Sequence, residues 1–194
     1  MTLFAAKLIW CVGFASFYVI RYPHERRAVR TAKARRATSM TDHVALGLAY
    51  LGQGILPAIY VFTDQPAFAN YSFQPALAWA GAALFALALY LFHRAHRDLG
   101  RNWSISLNVR ESHTLVTGGI YSRVRHPMYS AFLVSTVAQA LLLPNWIAGP
   151  AGLFGFAAMF FSRLWREERM MVDTFGDEYK SYMARTSRII PGVF

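Results

Sequence analysis

The sequence reads as an all-α membrane protein with about five transmembrane helices, a single domain whose polar segments gather on one side of a bilayer. Three observations carry this. The 194 residues are 55% hydrophobic, with a mean hydropathy of +0.27, on the apolar side of the range for water-soluble domains. The same chain carries a formal charge of +10. Its Lys and Arg fall between the apolar runs rather than on a soluble, aromatic-interleaved face, so nucleic acid is not the expected partner.

Five apolar runs approach the ~20 residues that a bilayer-spanning helix needs. The first, 3–20, has no basic leader before it and no small-residue cleavage site after it, so it reads as a retained anchor. Lys7 lies near its outer boundary, where it would snorkel to water, and the lone Cys11 has no intrachain disulfide partner. The second run, 43–62, contains Pro57, which is expected to kink it. The third, 75–92, carries Ala76, Ala78, Ala80, Gly81, Ala82, Ala83, Ala86 and Ala88, either a close-packing face or simply an Ala-rich composition. The fourth and fifth, 128–143 and 146–161, are a little short, and Pro144 and Asn145 between them predict a tight antiparallel hairpin.

Basic residues set the orientation. Seven lie in 21–36, six in 93–127 and six in 163–194, the remaining one being Lys7, and none lies in 63–74. With five spans, the positive-inside rule places all three basic segments in the cytosol, together with the C-terminus, and the N-terminus outside. The chain then divides into a three-helix membrane part, 1–92, and a second part, 93–194, that carries the polar chemistry.

In the connector 93–127, Leu99-Gly100-Arg101-Asn102-Trp103-Ser104 is followed by a β-prone run to Val109. His113-Thr114-Leu115-Val116-Thr117 then leads to Gly118 and Gly119, which permit a sharp turn and close approach of backbone to a ligand. Arg125-His126-Pro127-Met128-Tyr129 opens the fourth helix, with Pro127 suited to a first turn that has no use for its missing N–H. Arg125 and His126 beside a helix start can seat a carboxylate, and Tyr129 can present an aromatic face to a cation. The same residues also suit an anchor at headgroup level. In the tail, Arg163 and Glu167 share a helix face, an ordinary i, i+4 ion pair or a polar wall of a pocket, whereas Glu168 points about 100° away. Tyr179, Tyr182 and Phe175 form an aromatic face suited to packing. His93 and His96 can share a face but find no third ligand, so no metal is expected.

Taken together, His113-Thr114-Leu115-Val116-Thr117, Gly119-Ile120-Tyr121, Arg125-His126-Pro127 with Tyr129, Arg163 with Glu167-Glu168, Phe175-Gly176-Asp177-Glu178-Tyr179 with Tyr182, and Arg188-Ile189-Ile190-Pro191 form an ordered set. With it, residues 93–194 resemble the isoprenylcysteine carboxyl methyltransferase family. The resemblance implies an integral membrane enzyme using S-adenosylmethionine, with the connector and C-terminal helix forming the cofactor pocket. It implies cofactor contacts from His113, Thr114, Leu115, Val116, Tyr121, His126, Tyr129 and Glu167, and catalytic or substrate roles for Arg163 and Arg125. The implied acceptor is a prenylated or lipid-like small molecule or peptide, methylated on a carboxylate at the membrane surface. Relatives that act on prenylated proteins in eukaryotes are longer, with additional membrane helices. A phospholipid N-methyltransferase, with a similar Arg-His-Pro and Glu pair, and a sterol-reductase-like NADPH enzyme are the alternatives.

Overall fold

A computed structural model describes residues 1–31, 40–103 and 114–193. These form five helical rods with no strand among the described residues. The first is α1, Leu3–Thr31, which continues past the expected end of its apolar run into basic sequence, with Arg21 and Glu25 paired one turn apart at 3.4 Å. The second rod is α2, Met40–Tyr50, a π-helical turn, Leu51–Ile55, and α3, Leu56–Thr63. Pro57 has no N–H for a helical bond and lies just beyond the π turn, which absorbs the break. The expected kink is therefore a wide turn. Gly52 within it lies so close to the start of the last helix that an added Cβ would come 2.2 Å from Ala151 O.

The third rod, α4, is Pro75–Leu99. Its buried positions are Ala78, Gly81, Phe85, Ala88, Phe92, Ala95 and His96, a 3,4-spaced stripe that packs along α5, Pro127–Leu142. The Ala-rich sequence thus serves both readings: Ala78 and Ala88 pack, whereas Ala76, Ala80, Ala83 and Ala86 are exposed. The last rod, α6, is Ala151–Arg185. It fuses the expected fifth span and the tail helix, with a single break at Gly176 (φ 55°, ψ −127°).

The turn between α5 and α6 is longer than expected, and residues 146–150 are not helical. Asn145, fully buried, explains this. Its Oδ1 accepts from the N–H groups of Ile147 (3.0 Å) and Ala148 (2.9 Å), and its Nδ2 donates to Pro66 O and Asn70 Oδ1. The side chain supplies the bonds that a helix would otherwise supply to itself. At the same end Lys7 pairs with Asp64 and lies over the Tyr60 ring at 4.8 Å.

Among the described residues, three stretches are long and apolar enough to cross a membrane: Leu3–Arg27, Met40–Thr63 and Pro75–Leu99. The helix Pro127–Leu142 is apolar but shorter. Two apolar clusters fill the bundle. Trp10, Tyr60, Phe85, Leu142 and Leu143 pack at the Lys7 end, and Tyr129, Phe156, Phe160, Leu164 and Ile189 pack toward the opposite, basic end.

Candidate functional site

The start of α5 is held by chain that is remote in sequence. The tail after α6 lies beside it, with Val124 and Ser187 forming a parallel bridge. The N–H groups of Arg125 and His126 donate to Ser187 O (2.8 Å) and Arg188 O (2.9 Å), and Ser130 Oγ donates to Ile189 O at 2.6 Å. Tyr182 donates to the carbonyl of Tyr121, and the Tyr121 hydroxyl reaches Ala95 O at 3.4 Å. At Gly119 the backbone turns with φ +61°, pressed so close to Asp98 that a Cβ would fall 2.3 Å from its Oδ2. That carboxylate accepts the N–H of Ile120 at 2.9 Å.

Beneath the α5 start lies a buried charge cluster. Glu168, 3% exposed, accepts from Arg125 Nε (3.1 Å) and Nη2 (2.8 Å) and pairs with Arg188 Nε at 3.2 Å. Arg125 Nη1 donates to the carbonyls of Met183 and Thr186. Burial alone would raise the Glu168 pKa; the adjacent His126 and the Arg125 guanidinium outweigh it and lower it to about 2. Burial pushes the Tyr182 phenol up to about 12 and raises that of Tyr121, so both stay protonated donors at neutral pH.

Glu167, one residue earlier, faces a different environment. Its Oε1 accepts from the Tyr129 hydroxyl at 2.7 Å and lies 3.4 Å from Arg163 Nε. Its Oε2 lies 3.8 Å from His126 Nδ1, whose Nε2 is 3.4 Å from Glu168. Arg163 Nε is buried and, among the described residues, no group is aligned to accept from it. All of these residues except Glu168 line one cavity of about 790 Å³.

That cavity has two chemically distinct regions. The basic end is bordered by Thr114, Leu115, Val116, Tyr121, Arg125, His126, Tyr129, Arg163 and Glu167, with Met170, Phe175 and Tyr179 beyond them. Toward the Lys7 end it becomes a shaft walled by Phe14, Phe17, Phe85, Phe92, Phe132 and Phe156. Every anticipated site residue within the described chain therefore lines the cavity; His113 lies outside the described residues, as does the β-prone run. The structure also separates roles that spacing left merged. Glu167 faces the cavity and Glu168 the buried cluster, while Arg125 contributes to the wall with its guanidinium bonded to Glu168 and backbone. Glu168 and Arg188 belong to the ordered motif set but had no role assigned to them, and Ser130 was not anticipated as part of the site. Nor were the α1 and α2 residues on its wall, although Trp10, Phe14, Phe17, Arg21 and Glu25 recur at helical spacing and could have been read as one face.

Fold and cavity define a multi-pass helical membrane protein whose internal pocket joins a polar end to an aromatic shaft. Residues 80–173 match the model of the isoprenylcysteine carboxyl methyltransferase (ICMT) family, bearing out the resemblance read from the motifs. The chain is 31% identical over 121 residues to the protein-S-isoprenylcysteine O-methyltransferase of Dictyostelium discoideum, covering 59% of this chain and 49% of that one. It is 32% identical over 107 residues to that of Schizosaccharomyces pombe, covering 54% and 45%. To protein-S-isoprenylcysteine O-methyltransferase B of Arabidopsis thaliana it is 32% identical over 115 residues, covering 58% of each. The matches thus span about half the length of these curated relatives.

Proposed function

We propose that the chain is an S-adenosylmethionine-dependent methyltransferase that esterifies the carboxylate of an amphiphilic, isoprenylcysteine-like acceptor at the membrane–cytosol interface. The observation that carries this reading is a cavity that joins Arg163, whose buried Nε has no hydrogen-bond partner among the described residues and lies 3.4 Å from Glu167, to a shaft walled by phenylalanine. A cation at the junction of polar and apolar space suits a lipid ending in an anion.

The residues present fit the methyl donor. Glu167 is a hydrogen-bond acceptor for hydroxyl or ammonium groups, and the Tyr129 ring offers an aromatic face to a cation. Thr114, Leu115, Val116, Tyr121 and His126 complete that wall. When bound, S-adenosylmethionine supplies a methyl group activated by its sulfonium, so transfer to a carboxylate oxygen leaves a neutral thioether and releases no proton. The protein's task is alignment at ~3 to 3.5 Å. An α-carboxyl with a pKa of about 3.5 arrives ionised, and the Arg163 guanidinium holds it by charge-assisted hydrogen bonds. Arg125, fixed by Glu168 and two carbonyls, shapes the same wall. No base is needed, whereas an amine acceptor would require one.

The polar donor enters from the cytosol and the acceptor from lipid. Tyr18 on α1 and Tyr50 on α2 both line the cavity yet are 49% and 55% exposed, which marks an opening between those helices. The charge distribution supports a cytosolic C-terminus and site.

Two variants test the roles. Glu167→Ala should weaken S-adenosylhomocysteine binding by at least roughly tenfold in detergent calorimetry, the loss expected for a hydrogen bond to a charged group; unchanged affinity would remove Glu167 from the donor site. Arg163→Ala should lower kcat/KM for a prenylcysteine analogue well beyond any loss of donor affinity. Label from radioactive donor should be released by base, as a methyl ester is; base-stable label on lipid would overturn the carboxylate reading.

A further inference from the structure

Two side chains that the reaction does not use line the cavity at the Lys7 end of the shaft, Trp10 and Gln139. We propose that Trp10 and Gln139 form a floor that sets the length of the lipid chain the acceptor can carry; this rests on the reading of the cavity as an acceptor site. Trp10 is 3% exposed and Gln139 1%, and both line the cavity. Trp10 Nε1 donates to Gln139 Oε1 at 3.3 Å. Gln139 Nε2 in turn donates to Gly52 O (3.1 Å), Ala148 O (2.8 Å) and Gly149 O (3.1 Å). Those carbonyls belong to the π turn and the α5–α6 turn, so the amide ties three parts of the fold together.

The indole is equally constrained. It stacks on Phe14 with centroids 5.2 Å apart and planes 9° off parallel, and packs in the cluster with Tyr60, Leu142 and Ala148. Behind the floor lies packed core. Pushing it aside would break a buried amide network whose polar groups have no water to turn to. Gln53 Nε2 and Ser135 Oγ, also on the cavity wall, bond to each other at 2.8 Å.

The depth follows from helix geometry. Tyr129 at the polar end and Gln139 at the floor lie on α5, ten residues apart, which at 1.5 Å per residue is roughly 15 Å. An extended chain advances roughly 1.1–1.2 Å per bond, so the shaft holds about a dozen main-chain atoms. That matches the main chain of a farnesyl group; a geranylgeranyl group is one isoprene unit longer and would meet the indole.

The test uses the full chain in lipid nanodiscs with N-acetyl-S-farnesylcysteine and N-acetyl-S-geranylgeranylcysteine, titrated without donor. Methyl ester formation is measured separately. The wild type should bind the shorter chain at least roughly tenfold more tightly, the discrimination an apolar pocket achieves against surplus carbon. Trp10→Ala should abolish that preference, with the thermal unfolding midpoint measured alongside. Should that variant fail to fold, Trp10→Phe decides: it keeps the ring stack, shortens the plug, and should narrow the preference. Equal binding of both chains by the wild type, no saturable binding of either, or a preference that survives a folded Trp10 variant overturns the floor. Chain-length-dependent binding with no methyl ester would instead overturn the proposed reaction and leave the floor standing.

Discussion

Glu167 and Glu168 are identical side chains with opposite surroundings, because about 100° of helix rotation separates neighbouring residues. One faces the cavity with Tyr129 and Arg163. The other is enclosed by Arg125, His126 and Arg188. Their substitutions should separate accordingly. Glu168→Ala removes the buried carboxylate that the Arg125 guanidinium is bonded to and should cost about 3–5 kcal/mol of stability, measured by chemical or thermal unfolding in detergent. Glu167→Ala should cost much less and act on ligand binding. The Glu168 pKa, depressed from 4.5 to about 2, fixes the sign of the pH dependence. Its contribution is fully present above the unfolded value near 4.5 and is lost as pH falls through about 2. Acid unfolding of the wild type should therefore be eased over that window, and Glu168→Gln should flatten the slope there; an unchanged slope would remove Glu168 as its source.

At the scale of elements, the segment after α6 acts as a strap. It supplies the carbonyls of Thr186, Ser187, Arg188 and Ile189 to Arg125, His126 and Ser130. The motif at 125–129 is thus positioned by residues some sixty positions away, outside the matched segment 80–173. Ending the chain after Arg185 should leave the helical content by circular dichroism nearly intact while abolishing donor binding; retained binding would show that α5 positions the site unaided. Ser130→Ala is the mild form. It removes a single hydrogen bond and should cost about 1 kcal/mol.

For the whole molecule, the basic segments at 21–36, 93–127 and 163–194, read with the positive-inside rule, predict opposite exposure of the two ends. In a Cys11→Ser background, a cysteine placed at Ser72 should react with an impermeant reagent from outside intact cells, and one at Ser187 only after lysis. Reversed labelling would invert the proposed topology. Much of this architecture is legible in linear order. Apolar runs give rods because backbone polar groups in lipid must bond within the segment. Likewise, the spacing of Arg163 and Glu167 gives a shared face because helix periodicity is local. The start of α6 at Ala151 was not legible, since Asn145 withdraws residues 146–150 from the helix through partners at Pro66 and Asn70. Nor was the part played by α1, because which face of an apolar helix meets a cavity and which meets lipid depends on its neighbours. The sequence by itself determined a helical membrane chain and the residues carrying its polar chemistry, through local periodicity and charge. Only the tertiary structure decided that Glu168 locks Arg125, that the tail holds the motif at 125–129, and that Trp10 meets Gln139 on the cavity wall. Each of these is a contact between segments far apart in the chain, and no local preference encodes which distant groups will meet.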